Sequence, residues 1–271
     1  MYQSFYTGAL GAGTCMAKMS VISNNIANVN NYGFKPKTAA FTDLIQFNLN
    51  DSETAVTELQ SGDGVRMQRT YSSYNVDAFH TTNQPLDFAI AEDNAFFMVR
   101  DPATNQITYT RSGHFHRGEL GETGDDEEGG SFYLLTDGGK LVLDQNGQPL
   151  KADTPDIQRI IEMMQEDYEP EEVDEEEDEE EDEDAPKLSV YTFSNPSRLL
   201  SVGDNEFEAP EDMQPILIEN GNIVPGVLEA SGTDLGKELV RMIECQRAYS
   251  YALKMVVTAD EVESTINGLR G

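Results

Sequence analysis

The sequence contains no tryptophan and only two cysteines, and the scarcity of cysteine limits the chemistry open to it. Cys15 and Cys245 lie near opposite ends of the chain, so they lack the close spacing of zinc ligands. A disulfide between them cannot be derived from sequence, because it depends on how the two ends meet in space. We interpret both as small hydrophobic residues buried on helices.

The sequence also lacks a long apolar run and a recognisable signal peptide. No stretch approaches the ~20 apolar residues that a membrane span requires, so we predict no membrane span. Residues 1–20 contain no basic segment, compact apolar core or small-residue cleavage site of a secretory leader. We therefore expect either a cytoplasmic protein or one that is exported without cleavage.

Positive charge is scarce and unevenly placed. The chain has 18 lysine and arginine residues against 50 aspartate and glutamate residues, a formal net charge of −32. Residues 1–50 carry +2 and residues 232–271 carry −1, so the 181 residues between them hold −33. Because binding to phosphates needs basic patches, we predict no nucleic-acid partner.

Half of the net charge lies in one low-complexity segment, residues 166–184, where 16 of 19 residues are acidic. Self-repulsion and the lack of apolar side chains predict a disordered segment or a solvated loop. Residues 122–128 form a shorter acidic loop of the same kind. We expect the longer segment to be an insertion that folding does not require.

Sequence patterns of catalysis are also missing: there is no G-x-S-x-G, P-loop or H-E-x-x-H motif. His114 and His116 could share a strand face, but no third metal ligand is evident. Asp144, Asn146 and Gln148 alternate as in calcium loops, yet the downstream bidentate glutamate is absent. We predict no enzyme, cofactor or metal site, and an acidic secreted cation-binding module remains an alternative from another class.

The N-terminal region has the apolar spacing of an amphipathic helix. Steps of three and four residues predict a helix over residues 3–30, along a stripe of Ala9, Ala12, Met16, Met19, Ser23 and Ile26. Asn30, Asn31 and Gly33 then provide a C-terminal stop, and Pro36 blocks continuation. We predict a positive φ angle at Gly33.

The C-terminal region predicts a longer helix. Ser231, Thr233 and Asp234 offer N-caps, and Asn267-Gly268 marks the expected end. The predicted stripe, in which Gln246 fills one slot, comprises Leu235, Leu239, Met242, Gln246, Tyr249, Leu253 and Val256. A shift of phase after this stripe indicates packing in a bundle instead of a strict two-stranded coiled coil.

Between the helices the pattern changes to short strands and turns. We predict hairpins within residues 86–99 and 133–143, a strand at 107–115 and a tight turn at 144–147. Further strands are predicted at residues 188–193 and 215–228.

The expected fold class is α+β, with two long terminal helices pairing as a coiled-coil-like layer and a central, mostly antiparallel β domain. We expect a discontinuous helical domain of residues 1–34 and 232–271, an extended region of 35–75 and a β domain of 76–231. Amphipathic helices must bury their stripes against each other or against neighbouring chains.

Several segments resemble, in order, the signatures of the bacterial flagellar rod and hook protein family. The first is NNIANVNNYGFK at residues 24–35, followed by AAFTDL at 39–44, and the last is VRMIECQRAY at 240–249 with TADE at 258–261. Between them lie PLDFAI at 85–90, FFMV at 96–99, YTRSGHF at 109–115 and GVLEAS at 226–231. Tyr32 and the acidic run depart from the family's pattern.

The resemblance implies a structural subunit that passes unprocessed through the flagellum-specific type III export channel. It implies self-assembly outside the cytoplasmic membrane into a hollow helical tube, which transmits motor torque from the basal body to the hook. The expected partners are copies of itself, other rod and hook subunits and the export apparatus. Chain length and a substantial β domain favour a distal-rod-like subunit, with a hook subunit as the alternative.

The helix signatures suggest a hypothetical assembly interface. Asn24 and Asn28 either make hydrogen bonds across a subunit contact or serve as C-capping and turn residues. Gln246 and Arg247 either form a solvated face or make contacts between subunits, which the resemblance favours. The candidate interface residues are Met16, Met19, Asn24, Asn25, Ile26, Asn28, Gly33, Phe34, Leu239, Met242, Ile243, Gln246, Arg247, Tyr249, Leu253 and Val256.

Overall fold

The computed structural model describes residues 2–44, 46–48, 60–119, 132–155, 157–158, 161, 187–218 and 221–270. The chain forms two compact units. The terminal unit comprises Met1–Val29, Pro36–Ser73 and Thr233–Gly271, and the β unit comprises Asn30–Lys35 and Tyr74–Gly232. Both acidic segments, 122–128 and 166–184, lie outside the described residues, so the expectations about them remain predictions.

The terminal unit is built on two helices, α1 (Tyr2–Ala27) and α2 (Leu235–Arg270). The end of α1 is capped by Asn28, whose Nδ2 donates to the Asn24 carbonyl at 2.7 Å. The start of α2 is capped by Asp234, whose Oδ1 accepts the Lys237 N–H at 3.1 Å and so satisfies a free helix donor. Both predicted helices are confirmed.

The predicted end of the second helix is wrong, because α2 continues through Asn267 and Gly268 to Arg270. A glycine inside a helix costs ~1 kcal/mol relative to alanine, which weakens the last turn without preventing it from forming.

The terminal unit also contains four strands in its described part: β1 (Lys37–Asp43), β2 (Gln46–Asn48), β3 (Gln60–Gly62) and β4 (Val65–Ser72). β1 pairs with β4 and β2 pairs with β3, both antiparallel. α1 lies against β4, where the Thr14 hydroxyl donates to the Val65 carbonyl at 3.0 Å. The described part of the region after α1 therefore forms two two-stranded sheets, of which β1–β4 lies beside the helix.

The β unit has thirteen strands in its described part. They are β5 (Phe79–Thr81), β6 (Phe88–Ile90), β7 (Ala95–Arg100), β8 (Ile107–Thr110), β9 (Phe115–Glu119), β10 (Phe132–Thr136), β11 (Leu141–Val142), β12 (Val190–Thr192), β13 (Leu200–Gly203), β14 (Glu206–Glu208), β15 (Ile216–Ile218), β16 (Ile223–Pro225) and β17 (Val227–Glu229). A single 3₁₀ turn, Pro196–Arg198, precedes β13.

The main sheet has the order β13-β14-β8-β7-β11-β10-β9, and β12 pairs with both β7 and β15. β6 pairs with β16, and β5 pairs with β17. Every described strand pairing is antiparallel. The α+β fold class, with two helices and a mostly antiparallel β domain, is confirmed.

The core of the β unit lies on the two faces of β7. Phe97 and Val99 pack into one cluster, and Phe96 and Met98 pack into the other, as expected for the two-residue period of a strand. Aromatic rings meet edge to face in the second cluster, with Phe96 and Tyr74 centroids 5.1 Å apart. The core is thus closed on both sides of the central strand.

Two of the predicted hairpins have different outcomes. β10 and β11 form the hairpin predicted at residues 133–143. The turn at 144–147 is present, with the Gly147 N–H bonded to the Asp144 carbonyl at 3.1 Å. The hairpin at 86–99 is wrong, because β6 pairs with the distant β16 while β7 pairs within the main sheet. The strand predicted at 107–115 is interrupted after Thr110, where Arg111 turns into the core.

Candidate assembly interface

The contact between α1 and α2, here called the seam, is close because small residues line it. A Cβ added at Gly8 would lie 3.0 Å from Val256 Cγ2 and 3.3 Å from the Ala252 carbonyl oxygen. A larger side chain at position 8 would therefore push the helices apart. Further along, the Cys245 thiol donates to the Cys15 carbonyl, with Sγ and O 3.0 Å apart.

The seam fixes which positions of α2 are covered. Buried and half-buried residues recur in steps of four and three, at Glu238, Met242, Cys245, Tyr249, Ala252, Val256 and Ala259. The predicted stripe shares Met242, Tyr249 and Val256 with this set, whereas its members Leu239, Gln246 and Leu253 each lie one residue away from a covered position and are exposed. Near the glycines of α1 the helices approach closely, and the covered alternate position there is the small residue Ala252 instead of Leu253.

The large apolar side chains that the seam leaves out are exposed on the described surface of the terminal unit. On α2, Leu239 is 46% exposed, Ile243 51% and Leu253 42%. On α1, Met16 is 58% exposed. Large apolar side chains exposed together on one surface are typical of an interaction surface.

The sixteen candidate interface residues divide by burial. The exposed ones are Met16, Asn24, Leu239, Ile243, Gln246, Arg247 and Leu253. The half-buried ones are Met19, Ile26, Asn28, Met242, Tyr249 and Val256. The buried ones are Asn25, Gly33 and Phe34, whose surroundings belong to their own chain.

The asparagine cluster at the end of α1 has a structural use in its described contacts. Asn25 is 1% exposed, and its amide makes two hydrogen bonds of 2.9 Å with the backbone N–H and carbonyl of Lys37. It therefore fixes the start of β1 to the end of α1. Asn28 caps the helix as described above, whereas Asn24 is exposed.

Gly33 has a φ angle of +67°, as predicted from sequence. Its N–H donates to the Glu229 carbonyl at 2.8 Å, and the Gly232 N–H donates to the Phe34 carbonyl at 3.0 Å. A Cβ at Gly33 would come within 2.7 Å of the Arg111 backbone carbon, so only glycine fits. Within the β unit, the segment that follows α1 is thus bound to the segment that precedes α2.

Close to the backbone hydrogen bond between Gly33 and Glu229 lies a buried cluster of charged side chains. Lys35, Arg111 and Glu229 have fully buried side chains. Lys35 Nζ is 2.7 Å from Glu229 Oε1, and Arg111 Nε is 2.5 Å from Glu229 Oε2. Lys35 also contacts Asp77 Oδ2 at 2.7 Å. Two cations therefore face two carboxylates, and the charges balance.

The remaining donors of the cluster bind backbone carbonyls. Arg111 Nη1 donates to Ala95 O at 2.9 Å, and Nη2 donates to Glu92 O at 2.8 Å. Lys35 Nζ donates to Asn75 O at 2.5 Å. Buried charges are tolerated when they are paired and their other donors are satisfied, which holds for both cations.

Sequence reasoning did not identify this cluster, although its members lie in three of the segments that resemble the family. Lys35 ends NNIANVNNYGFK, Arg111 lies in YTRSGHF and Glu229 lies in GVLEAS. The available signal was a single charge within an otherwise apolar or turn-forming segment. Partners 194 positions apart in sequence, as Lys35 and Glu229 are, cannot be paired from one sequence.

Two of the side chains considered as metal ligands, His114 and Asp144, make hydrogen bonds within the chain. His114 Nδ1 is 2.6 Å from Asp87 Oδ1. Asp144 Oδ1 accepts the N–H groups of Asn146 and Gln148 at 2.9 and 2.8 Å, which shapes the turn. Across the part of the chain that the structure describes, no group of three or more His, Cys, Asp or Glu residues could hold a metal ion.

Neither described helix has a stretch both long enough and apolar enough to cross a lipid bilayer.

Both ends of the chain match sequence profiles of flagellar proteins. Residues 5–35, which cover most of α1 and the segment with Gly33, match the family described as "Flagella basal body rod protein". Residues 224–269, which cover β17 and α2, match "Flagellar basal body rod FlgEFG protein C-terminal". The terminal helices and the segments that join them to the β unit therefore define a protein of the flagellar rod class.

Similarity to curated proteins extends over the whole chain. The chain is 30% identical to the flagellar basal-body rod protein FlgG of Buchnera aphidicola subsp. Schizaphis graminum over 99% of its length and 100% of that protein. It is 29% identical to FlgG of Bacillus subtilis over the full length of both chains. The flagellar hook-basal body complex protein FlhP of Bacillus subtilis is 24% identical, also over both full lengths. The chain belongs to the flagellar basal-body rod protein family, and it is a structural subunit of that rod.

Proposed function

We propose that this rod subunit polymerises head to tail, through the exposed faces of α1 and α2, into a hollow helical tube that transmits torque to the hook. The observation that carries the proposal is the distribution of apolar residues on α2. Small residues fill the seam, while Leu239, Ile243 and Leu253 remain exposed. A contact between unlike surfaces generates a helical polymer when the rotation between neighbouring copies does not close into a ring.

Of the sixteen candidates, the exposed and half-buried ones belong to the assembly surface in this proposal. Asn25, Gly33 and Phe34 are buried within their own chain and act by positioning the segments around α1. Gln246 and Arg247 are exposed on the same helix as the leucines, which supports polar contacts between subunits around an apolar centre.

The finer parts of the function follow from family membership. The subunit would be exported through the flagellar type III apparatus without a cleaved signal peptide, and would act outside the cytoplasmic membrane. Its partners would be copies of itself and other rod and hook subunits. It would have no catalytic activity. The FlgG relatives support a distal-rod subunit over a hook subunit, and membership of a structural family disfavours a secreted cation-binding module.

Deleting residues 233–271 tests the assembly role. This truncation removes α2 and keeps every segment of the β unit. We expect polymerisation to be lost while the cooperative unfolding of the β unit is retained, because that unit has its own core. Electron microscopy at rising protein concentration, together with thermal unfolding, measures the two outcomes.

The matched control is the full-length chain with the paired exposed substitutions Lys254→Gln and Thr258→Ser, which keep α2 and its apolar residues. This control should still polymerise. Normal tubes from the truncated chain would refute the role of α2 in assembly. Loss of β-unit folding in the truncation would instead show that the two units do not fold independently.

A further inference from the structure

A second face of α1, on the side away from the seam, borders an open groove. Ala9, Gly13 and Ala17 line the helix side of this groove, and Val65 and Arg66 of β4 line the other side. Tyr6, which is 64% exposed, stands at one end. The groove has a volume of about 430 Å³, enough for several apolar side chains.

Gly13 distinguishes this groove from the seam. A Cβ added at Gly13 would meet nothing within 4 Å among the described residues, whereas one at Gly8 would meet Val256 at 3.0 Å. Packing within the described chain therefore explains glycine at position 8 but not at position 13. A glycine in mid-helix costs ~1 kcal/mol relative to alanine, and a close approach by another element would account for it.

Among the described residues, the end of α2 extends past the start of α1. Gly8 meets Val256 and Cys15 meets Cys245, so the two helices run antiparallel and α1 starts opposite the region near residue 260. Residues 261–269 of α2 extend beyond this point, and all of them are exposed. Val262 is 42% exposed, Ile266 40% and Leu269 84%. Residues 261–269, here called the overhang, therefore carry an exposed apolar stripe beyond the start of α1.

The overhang and the groove match in spacing, length and charge. Ala9, Gly13 and Ala17 are four residues apart, as Val262 and Ile266 are, which suits ridges-into-grooves packing of two helices. At 1.5 Å per residue, the groove helix spans about 12 Å and the stripe from Val262 to Leu269 about 10.5 Å. Arg66 is exposed at the groove, and Asp260 and Glu261 are exposed beside the stripe, so the charges are opposite.

The geometry points to the α2 overhang of one copy of this chain, residues 261–269, docking in the groove between α1 and β4 of the next copy. This inference rests on the proposed function, and it adds a head-to-tail contact between two surfaces outside the candidate residues named there. A straight helix cannot fold back into its own groove, so the contact joins different molecules. Because groove and overhang are different surfaces, each copy offers one site of each kind and the contact can be repeated from copy to copy.

Filling the groove tests the inference without disturbing the seam. Gly13→Leu adds a side chain in open space and raises helix propensity, so the melting temperature should not fall. Its self-association should drop roughly tenfold or more. Gly13→Ala has a similar propensity gain but adds only one methyl group to the groove, so it should weaken assembly measurably and less than Gly13→Leu does. Ile266→Glu, on the overhang, should impair assembly as strongly as Gly13→Leu.

Mixing the two defective variants provides the decisive measurement. Gly13→Leu keeps an intact overhang, and Ile266→Glu keeps an intact groove. Each alone should remain monomeric, and an equimolar mixture should form a heterodimer and no larger species in analytical ultracentrifugation. A mixture that stays monomeric while the wild type assembles would overturn the inference, as would Gly13→Leu assembling normally.

A photo-crosslinking residue at Tyr6 identifies what occupies the groove. Crosslinks to residues 261–270 of an isotopically distinct copy are expected. Crosslinks confined to the same chain, or made to another segment of a second copy, would overturn the inference. Failure of the wild type to assemble under any condition would count against the proposed function, whereas wild-type assembly through another surface would count against this contact alone.

Discussion

The two units of this chain satisfy their apolar residues differently. In the β unit, β7 is covered on both faces, and even the charges of Lys35, Arg111 and Glu229 are paired inside. In the terminal unit, the small residues are buried in the seam, while Leu239, Ile243 and Leu253 face outward. One unit has a closed core, and the other keeps its largest apolar side chains available for contacts with other molecules.

Because of this difference, the substitutions that change stability should be different from those that change assembly. Substitutions in the β unit should change the free energy of unfolding and leave association unchanged unless the unit unfolds. Substitutions on the outer faces of the terminal unit should do the opposite. Substitutions in the seam should affect both stability and association, because the seam holds together the two helices that carry the outer faces.

The largest expected effect is on the buried charge cluster. Glu229→Gln removes the carboxylate that faces two fully buried cations, so it should lower the free energy of unfolding of the β unit by about 3–5 kcal/mol. Chemical denaturation monitored by tyrosine fluorescence measures this change.

The control for the cluster is an exposed ion pair in the same unit. Arg117 and Asp153 are each about half exposed, so Asp153→Asn should change the free energy of unfolding by less than about 1 kcal/mol. Equal effects of Glu229→Gln and Asp153→Asn would show that the buried cluster does not contribute more than a surface pair.

A pair of neighbouring residues on α2 tests the seam against the outer face. Ala252→Leu overpacks the seam next to Gly8 and Gly11, and should destabilise the terminal unit by about 1–3 kcal/mol. Leu253→Gln changes an exposed side chain, and should change stability by less than about 0.5 kcal/mol while weakening self-association. Circular dichroism and sedimentation measure the two properties, and the reverse pattern would contradict the assigned seam.

The smallest effect concerns the two thiols of the seam. Burial raises the pKa of Cys245, so less thiolate is present at a given pH than for an exposed cysteine. Cys245 is 2% exposed and Cys15 is half-buried. In the folded chain we expect iodoacetamide to modify Cys15 faster than Cys245, and the reaction of Cys245 to need a higher pH.

Single variants Cys15→Ser and Cys245→Ser assign each rate, and the two rates should converge in denaturant. A Cys245 that reacts first in the folded chain would mean that the seam opens readily.

The sequence was sufficient for features that depend on local spacing. Apolar steps of three and four residues predicted both helices, and the Asp-Gly-Gly turn predicted the β10–β11 hairpin. The positive φ angle of Gly33 followed from its position after a helix. Each of these depends on residues a few positions apart, which a single sequence displays directly.

The features that the sequence did not reveal depend on distant partners. The register of the seam could not be predicted because the sequence pattern emphasises large apolar residues, whereas the glycines of α1 favour small ones such as Ala252. The hairpin at 86–99 failed because β6 pairs with β16. Lys35, Arg111 and Glu229 were not recognised as a cluster because charged residues are usually exposed.

The position of the seam also determines the order in which the parts of the chain can fold as they emerge. Cys15 and Cys245 are 230 positions apart, so α1 leaves the ribosome, or any narrow channel, long before its partner helix. The β unit can fold in that interval, while α1 has no α2 to pair with. The seam therefore closes only after α2 has emerged, and a partially delivered subunit cannot present a finished helix pair.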